Sequence, residues 1–179
     1  GAGPIGILCA VLALNAGASK VMVTGVAADS GRLEMVRSIG AVPVRRGAGH
    51  AAQDALDQGL EVLREGDAFS IYPEGTRSPD GRLYKGKTGL ARLALETGVP
   101  VIPVAMIGTD SVNPPGSKMW KFGRVQVKFG APMDFSRFEG LAGNRFIERA
   151  VIDEVMYEIR ELTGQDYVDA YATKKAETA

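Results

Sequence analysis

Apolar runs broken by glycine and proline organise this chain. Residues 4 to about 16 are almost wholly apolar, with Ile5, Ile7, Leu8, Val11, Leu12 and Leu14, and predict an apolar helix. Lys20–Thr24 predicts a strand, Ser30–Ile39 a helix and Val42–Val44 a short strand. His50–Glu65 has helical periodicity, with Ala52, Leu56, Leu60 and Leu63 inward and Asp54, Asp57, Glu61 and Arg64 outward. Gly66 ends it. Ala68–Tyr72 predicts a buried strand, stopped by Pro73, which cannot extend a central strand. Thr88–Thr97 predicts a helix closed by Gly98. Val101–Ile107 has no polar side chain and predicts a strand buried on both faces, with Pro103 weighing against full pairing of its first residues. Arg124–Phe129 alternates like a more exposed strand. Asn144–Leu162 predicts a long helix with Ile147, Val151, Val155, Ile159 and Leu162 on one face.

Strands alternating with helices predict a single α/β domain with a mostly parallel central sheet and helices on both faces. A chain of 179 residues, 45% of them hydrophobic, is long enough to bury such a core. Net charge is zero but uneven. Residues 1–129 carry 15 basic and 11 acidic side chains, a balance of +4, and residues 130–179 carry 6 and 10, a balance of −4. The basic part draws an anionic substrate. No basic stripe points to nucleic acid.

Cys9 is the only cysteine, so no internal disulfide forms, and its apolar surroundings favour packing over nucleophilic chemistry. With one histidine and one cysteine, no metal site is expected. The run Ile5–Leu14 is too short to cross a bilayer and has no basic leader, so neither a membrane span nor a signal peptide is expected. A cytoplasmic location is expected, with peripheral contact at the inner face of the membrane. The loop Pro114–Phe122 sets Trp120 and Phe122 among Lys118 and Lys121, a composition suited to the headgroup boundary; packing of Trp120 into the core is the alternative.

The candidate chemistry lies at Glu74-Gly75-Thr76-Arg77. A tight glycine turn at a strand end is where open α/β sheets bind ligands. Arg77 offers a planar fork of donors for phosphate, and Glu74 holds the turn or an arginine in place. Together with Val101-Ile102-Pro103-Val104 and the segment Gly40–Gly47, this turn resembles the glycerophospholipid acyltransferase family, in its bacterial lysophosphatidate acyltransferase branch. The resemblance covers about residues 41–175, including Asp153–Glu158 and Gly164–Val168, and makes residues 42–179 an acyltransferase domain. It implies transfer of an acyl group from acyl-CoA or acyl carrier protein to the sn-2 hydroxyl of 1-acylglycerol 3-phosphate, a lysophosphatidate-type lipid, without a cofactor. It implies that Arg46, Glu74, Gly75, Thr76, Arg77 and Lys87 form the phosphate site, with Lys85 beside them. The family's His-x-x-x-x-Asp pair is not recognisable. The only histidine, His50, precedes Asp54 with three residues between, not four. A partly exposed histidine at a helix N-terminus is the favoured reading of His50, and a relocated His50–Asp54 dyad the rival. Without the general base, impaired or absent turnover is expected.

Residues 1–41 resemble instead the nucleotide-binding segment of medium-chain alcohol and sorbitol dehydrogenases. Gly1, Gly3 and Gly6 match the spacing G-x-G-x-x-G. The acidic residue that would hold a ribose is replaced by Gly25, and Asp29 is expected to cap the next helix, so a vestigial rather than working NAD site is implied. The resemblances together imply a composite or truncated chain joined near residue 40. The alternatives are an NAD(P)-binding dehydrogenase fragment and a non-catalytic binder of anionic lipid. Gly81–Thr88 also fits the P-loop pattern, but the segment Pro73–Asp80 separates it from the preceding strand, and Arg82, Leu83, Tyr84 and Lys85 are bulky for a phosphate cradle.

Overall fold

The computed structural model describes residues 2, 4–18, 21–26, 29–46, 51–112 and 121–173. The chain divides into two compact units, residues 1–69 and 70–179.

The first unit holds α1 (Pro4–Asn15), β1 (Met22–Val26), α2 (Ser30–Ser38), β2 (Val42–Arg46) and α3 (Ala51–Arg64). Strands β1 and β2 pair in parallel, from Met22 opposite Val42 to Val26 opposite Arg46. Helix α2 is their crossover, as parallel pairing requires. It buries Leu33 and Val36, three residues apart and so on one face, against Ala2, Ala10, Val23 and Ala41. Gly40, at φ +85°, ends α2, and its amide and that of Ala41 donate to Arg37 and Val36 carbonyls. The junction expected near residue 40 therefore lies inside this unit. Leu8 and Leu12 of α1 are exposed. Asp29 stands at the N-cap of α2 but makes no side-chain capping bond; its carboxylate pairs with Arg32 at 3.0 Å. The expected cap is thus an ion pair, because the Asp29 backbone (φ −93°, ψ 15°) lacks the extended geometry that aims a capping side chain at the helix amides.

The second unit holds β3 (Leu83–Tyr84), α4 (Gly89–Thr97), β4 (Val104–Ile107), α5 (Thr109–Val112), β5 (Gln126–Phe129), α6 (Arg145–Thr163) and β6 (Tyr167–Val168), with a 3-10 turn at Ser136–Phe138. Its core joins Leu90, Ala91, Ala94 and Leu95 of α4 to Val151, Ile152, Val155 and Met156 of α6, with Leu83 and Phe135. The Asn144 side chain accepts from the amides of Phe146 and Ile147, capping α6, and Gly164 at φ +71° ends it. Gly98 ends α4 in the same left-handed conformation.

The α/β class holds. Among the described residues the strands pair as three two-stranded sheets, β1–β2 and β3–β6 parallel and β4–β5 antiparallel, rather than as one central sheet. Ala68–Tyr72 forms no strand, and Tyr72 is 73% exposed. Strand β4 is not buried on both faces. Ala105 is 1% exposed, but Val104 and Met106, on the opposite face, are 40% and 47% exposed beside Phe129 and Val127 of β5. A run of apolar residues marks a strand without fixing which face is covered. No helix among the described residues is long and apolar enough to cross a membrane.

Candidate functional site: the Glu-Gly-Thr-Arg turn

The turn is built by backbone geometry. The Gly75 amide donates to the Tyr72 carbonyl at 3.0 Å, and Gly75 adopts φ +70°, which favours glycine. A Cβ there would lie 3.0 Å from Lys87 Nζ and 3.1 Å from its Cδ and Cε, so the Lys87 side chain lies against the turn. The Lys87 amide donates to the Pro73 carbonyl at 2.8 Å. Glu74 is half-buried, and its Oε2 accepts from the Tyr84 amide at 2.8 Å. Burial pushes the Glu74 carboxyl above its ordinary value, and the Tyr84 N–H opposes that in part. Thr76 is half-buried and Arg77 exposed.

Segment 81–87 supports this turn and carries no phosphate cradle. A P-loop needs free backbone amides pointing at the anion. Here the Gly81 amide donates to Ser78 Oγ, Arg82 to Asp80, Leu83 to the Asp166 carbonyl, Tyr84 to Glu74, Lys85 to the Ala170 carbonyl and Lys87 to Pro73. Strand β3 runs through the middle. Asp80 gathers the Arg82 guanidinium and the Tyr84 hydroxyl, the latter at 3.0 Å, and the Arg82 partner holds its carboxyl down to about 2.

The two lysines separate. Lys85 is tied to Asp169 at 2.7 Å. Lys87 is exposed at the turn and takes part in none of the ion pairs among the described residues. Glu74, Gly75, Thr76, Arg77 and Lys87 are therefore assembled in one unit. Arg46 ends β2 in the other unit, and only its backbone is described. Asp54 is exposed in the first turn of α3. His50, the fingerprint residues Gly1 and Gly3 and residues 114–120 of the loop containing Trp120 lie outside the described residues, whereas Phe122 at the end of that loop is exposed, and Gly6 and Cys9 are described only as backbone of α1. The place of a ribose-binding acid is filled. A Cβ on Gly25 would lie 3.0 Å from Leu33 Cδ2 and 3.2 Å from Ala2 Cβ. No cluster of metal-binding side chains occurs among the described residues.

Sequence reasoning missed two supports, the Tyr84 amide and the bond from Arg149 Nη1 to the Gly86 carbonyl at 2.8 Å. Both engage the main chain, which leaves no side-chain pattern to read.

The acyltransferase family profile matches residues 12–107, more than half of the chain, and the chain belongs to that family. The match begins inside α1 and includes Arg46, the Glu74–Arg77 turn and β4. Over 96 residues the chain is 38% identical to a chloroplastic 1-acyl-sn-glycerol-3-phosphate acyltransferase of Brassica napus, covering 53% of this chain and 28% of that protein. Over 104 residues it is 36% identical to a chloroplastic 1-acyl-sn-glycerol-3-phosphate acyltransferase of Arabidopsis thaliana, covering 58% and 29%. The crystal structure of the 1-acyl-sn-glycerophosphate acyltransferase PlsC of Thermotoga maritima superposes with a TM-score of 0.59 at 29% identity, covering 84% of this chain and 60% of that one. The match thus spans less than a third of the length of these curated relatives.

Proposed function

We propose that the chain carries the acceptor-phosphate part of a 1-acylglycerol-3-phosphate acyltransferase. In the full reaction the lipid's free hydroxyl oxygen attacks an acyl thioester carbonyl, the C–S bond breaks, and the thiol leaves with the hydroxyl's proton. Acyl-CoA or acyl carrier protein is the donor. Positioning of the hydroxyl depends on holding the adjacent phosphate. Arg77 and Lys87 supply cations to that phosphate, and Glu74 orders the turn that presents them. The carrying observation is the turn itself: Glu74 fastened to the Tyr84 amide, Lys87 against Gly75, and Arg77 exposed.

The proton acceptor is the part these 179 residues do not supply in recognisable form. Losing a general base lowers rate by about 10²–10⁴-fold. The chain therefore binds lysophosphatidate without normal turnover. The test is incubation of the purified chain with acyl-CoA and 1-acylglycerol 3-phosphate while free thiol is measured. Release at background is expected. Turnover abolished by His50→Ala would establish a His50–Asp54 dyad instead.

Residues 1–41 serve as scaffold in this reading. The dehydrogenase resemblance of this segment is carried by the spacing of Gly1, Gly3 and Gly6 and the sequence around it, whereas the acyltransferase match spans residues 12–107 and so includes residue 41. The packing of Leu33 and Ala2 at Gly25 argues against nicotinamide binding there. Contact with a membrane surface, at the inner face of the cell membrane, is part of the same proposal because the acceptor is a lipid.

A further inference from the structure

Segment 83–87 is hydrogen-bonded along both edges. On one edge the amides of Tyr84 and Lys87 donate to the Glu74 carboxylate and the Pro73 carbonyl, each at 2.8 Å. On the other the amides of Leu83 and Lys85 donate to the carbonyls of Asp166 and Ala170, at 2.9 and 3.0 Å. From Leu83 to Lys85, successive amides point to opposite edges, as in a strand between two neighbours. Its neighbours are the Glu-Gly-Thr-Arg turn and the C-terminal segment that contains β6.

Side chains fasten the second edge. Lys85 Nζ pairs with Asp169 at 2.7 Å, and Gln165 Nε2 donates to the Gly81 carbonyl at 2.5 Å. Helix α6 closes the third side. Arg149, held by Asp153, donates to the Gly86 carbonyl, and a Cβ on Gly86 would lie 2.8 Å from Ile152 Cγ1 and 2.9 Å from Met156 Cγ. The Gly86 backbone thus lies directly on the helix. Gly164, ending α6 in the left-handed conformation, turns the chain back along β3.

We propose that the C-terminal segment Gly164–Ala170 positions the anion site, so that affinity for the acceptor phosphate depends on Gln165 and Asp169, which do not touch the ligand. The proposal rests on the phosphate reading of Arg77 and Lys87 given above. Its mechanism is purely mechanical. When the segment is fastened, residues 83–87 hold the Pro73–Glu74 backbone and the Lys87 stem in one arrangement. When it is loosened, the Leu83 and Lys85 amides lose their acceptors and one edge of the support is gone.

The test compares the wild-type chain with the double variant Gln165→Ala, Asp169→Ala by two readouts. The first is hydrogen exchange at the Tyr84 and Lys87 amides, which do not bond the C-terminal segment themselves. The second is titration with 1-acylglycerol 3-phosphate at several salt concentrations. Exchange at both amides is expected to accelerate about tenfold while α6 amides near Val151 stay protected. Affinity is expected to fall about three- to tenfold with an unchanged salt dependence, because no ionic contact to the phosphate is removed. Restoring Asp169 alone recovers part of both. Arg77→Ala behaves differently, weakening binding and flattening the salt dependence together. Unchanged exchange at Tyr84 and Lys87 overturns the mechanical link. Accelerated exchange with unchanged affinity overturns the positioning role and leaves a structural one. A wild-type chain that does not bind the lipid removes the phosphate reading, and with it the positioning role, whereas exchange at the two amides still decides the mechanical link.

Discussion

The Tyr84 amide donates to the Glu74 carboxylate at 2.8 Å across ten positions of sequence. This bond ties the Glu-Gly-Thr-Arg turn to a strand that the turn does not otherwise contain. Glu74 thereby has a job distinct from ligand contact: it satisfies a main-chain donor in a residue that is itself buried. Glu74→Ala leaves that donor without its acceptor and is expected to destabilise the chain by about 1–3 kcal/mol. Glu74→Gln keeps a carbonyl oxygen and is expected to cost less than half as much. Urea unfolding of the two variants measures the difference.

Stability should depend on pH with opposite signs at Glu74 and Asp80. Burial raises the folded-state value of Glu74 above its ordinary 4.5, so the folded chain holds this proton more tightly than the unfolded one. Stability from this group therefore falls as pH rises through the window that opens near 4.5. Asp80 is lowered from 3.8 to about 2 by Arg82, so its contribution is complete above 3.8 and is lost as pH falls toward 2. In urea midpoints measured against pH, Glu74→Gln removes the decline on the upper side and Asp80→Asn removes the decline on the acid side.

Gly75→Ala should be costly for two separable reasons. The left-handed backbone at φ +70° costs a side chain about 1–2 kcal/mol, and the new Cβ meets the Lys87 side chain. Lys87→Ala relieves the second reason but not the first. The double variant should then be less destabilised than the sum of the singles, and a double-mutant cycle by urea unfolding reads the coupling directly.

Nicotinamide cofactors should not bind. Leu33 and Ala2 close the position at Gly25 where an acidic side chain would meet a ribose. Calorimetry with NAD or NADP is expected to show no saturable heat at millimolar concentration. A micromolar dissociation constant would restore the dehydrogenase reading of residues 1–41.

Helices and their ends were legible because their signals are local. The apolar face of α6 and the glycine stops at Gly66 and Gly98 follow from periodicity and backbone preference, and bounds shifted by only a residue or two. The turn residues were legible because charge and glycine occur together at Glu74–Arg77. Strands β3 and β6 were not, since two residues each are too few to show a period. The run Ala68–Tyr72 misled for the converse reason: its apolar composition matches a strand, yet no neighbour pairs with it among the described residues. The roles of Tyr84, Gly86 and Arg149 rest on main-chain contacts formed at long range, which no side-chain pattern records.

The central claim is that Arg77, presented by the Glu74 turn, holds the phosphate of a lysophosphatidate. Titration of the wild-type chain with 1-acylglycerol 3-phosphate, beside Arg77→Ala and Arg77→Lys, is the decisive measurement. Binding should be saturable, weaken with added salt and fall about tenfold or more in Arg77→Ala. Arg77→Lys should recover only part of the loss, because an ammonium lacks the two-pronged donor geometry of a guanidinium. Equal affinity in the wild type and Arg77→Ala, or no saturable binding by the wild type, would contradict it.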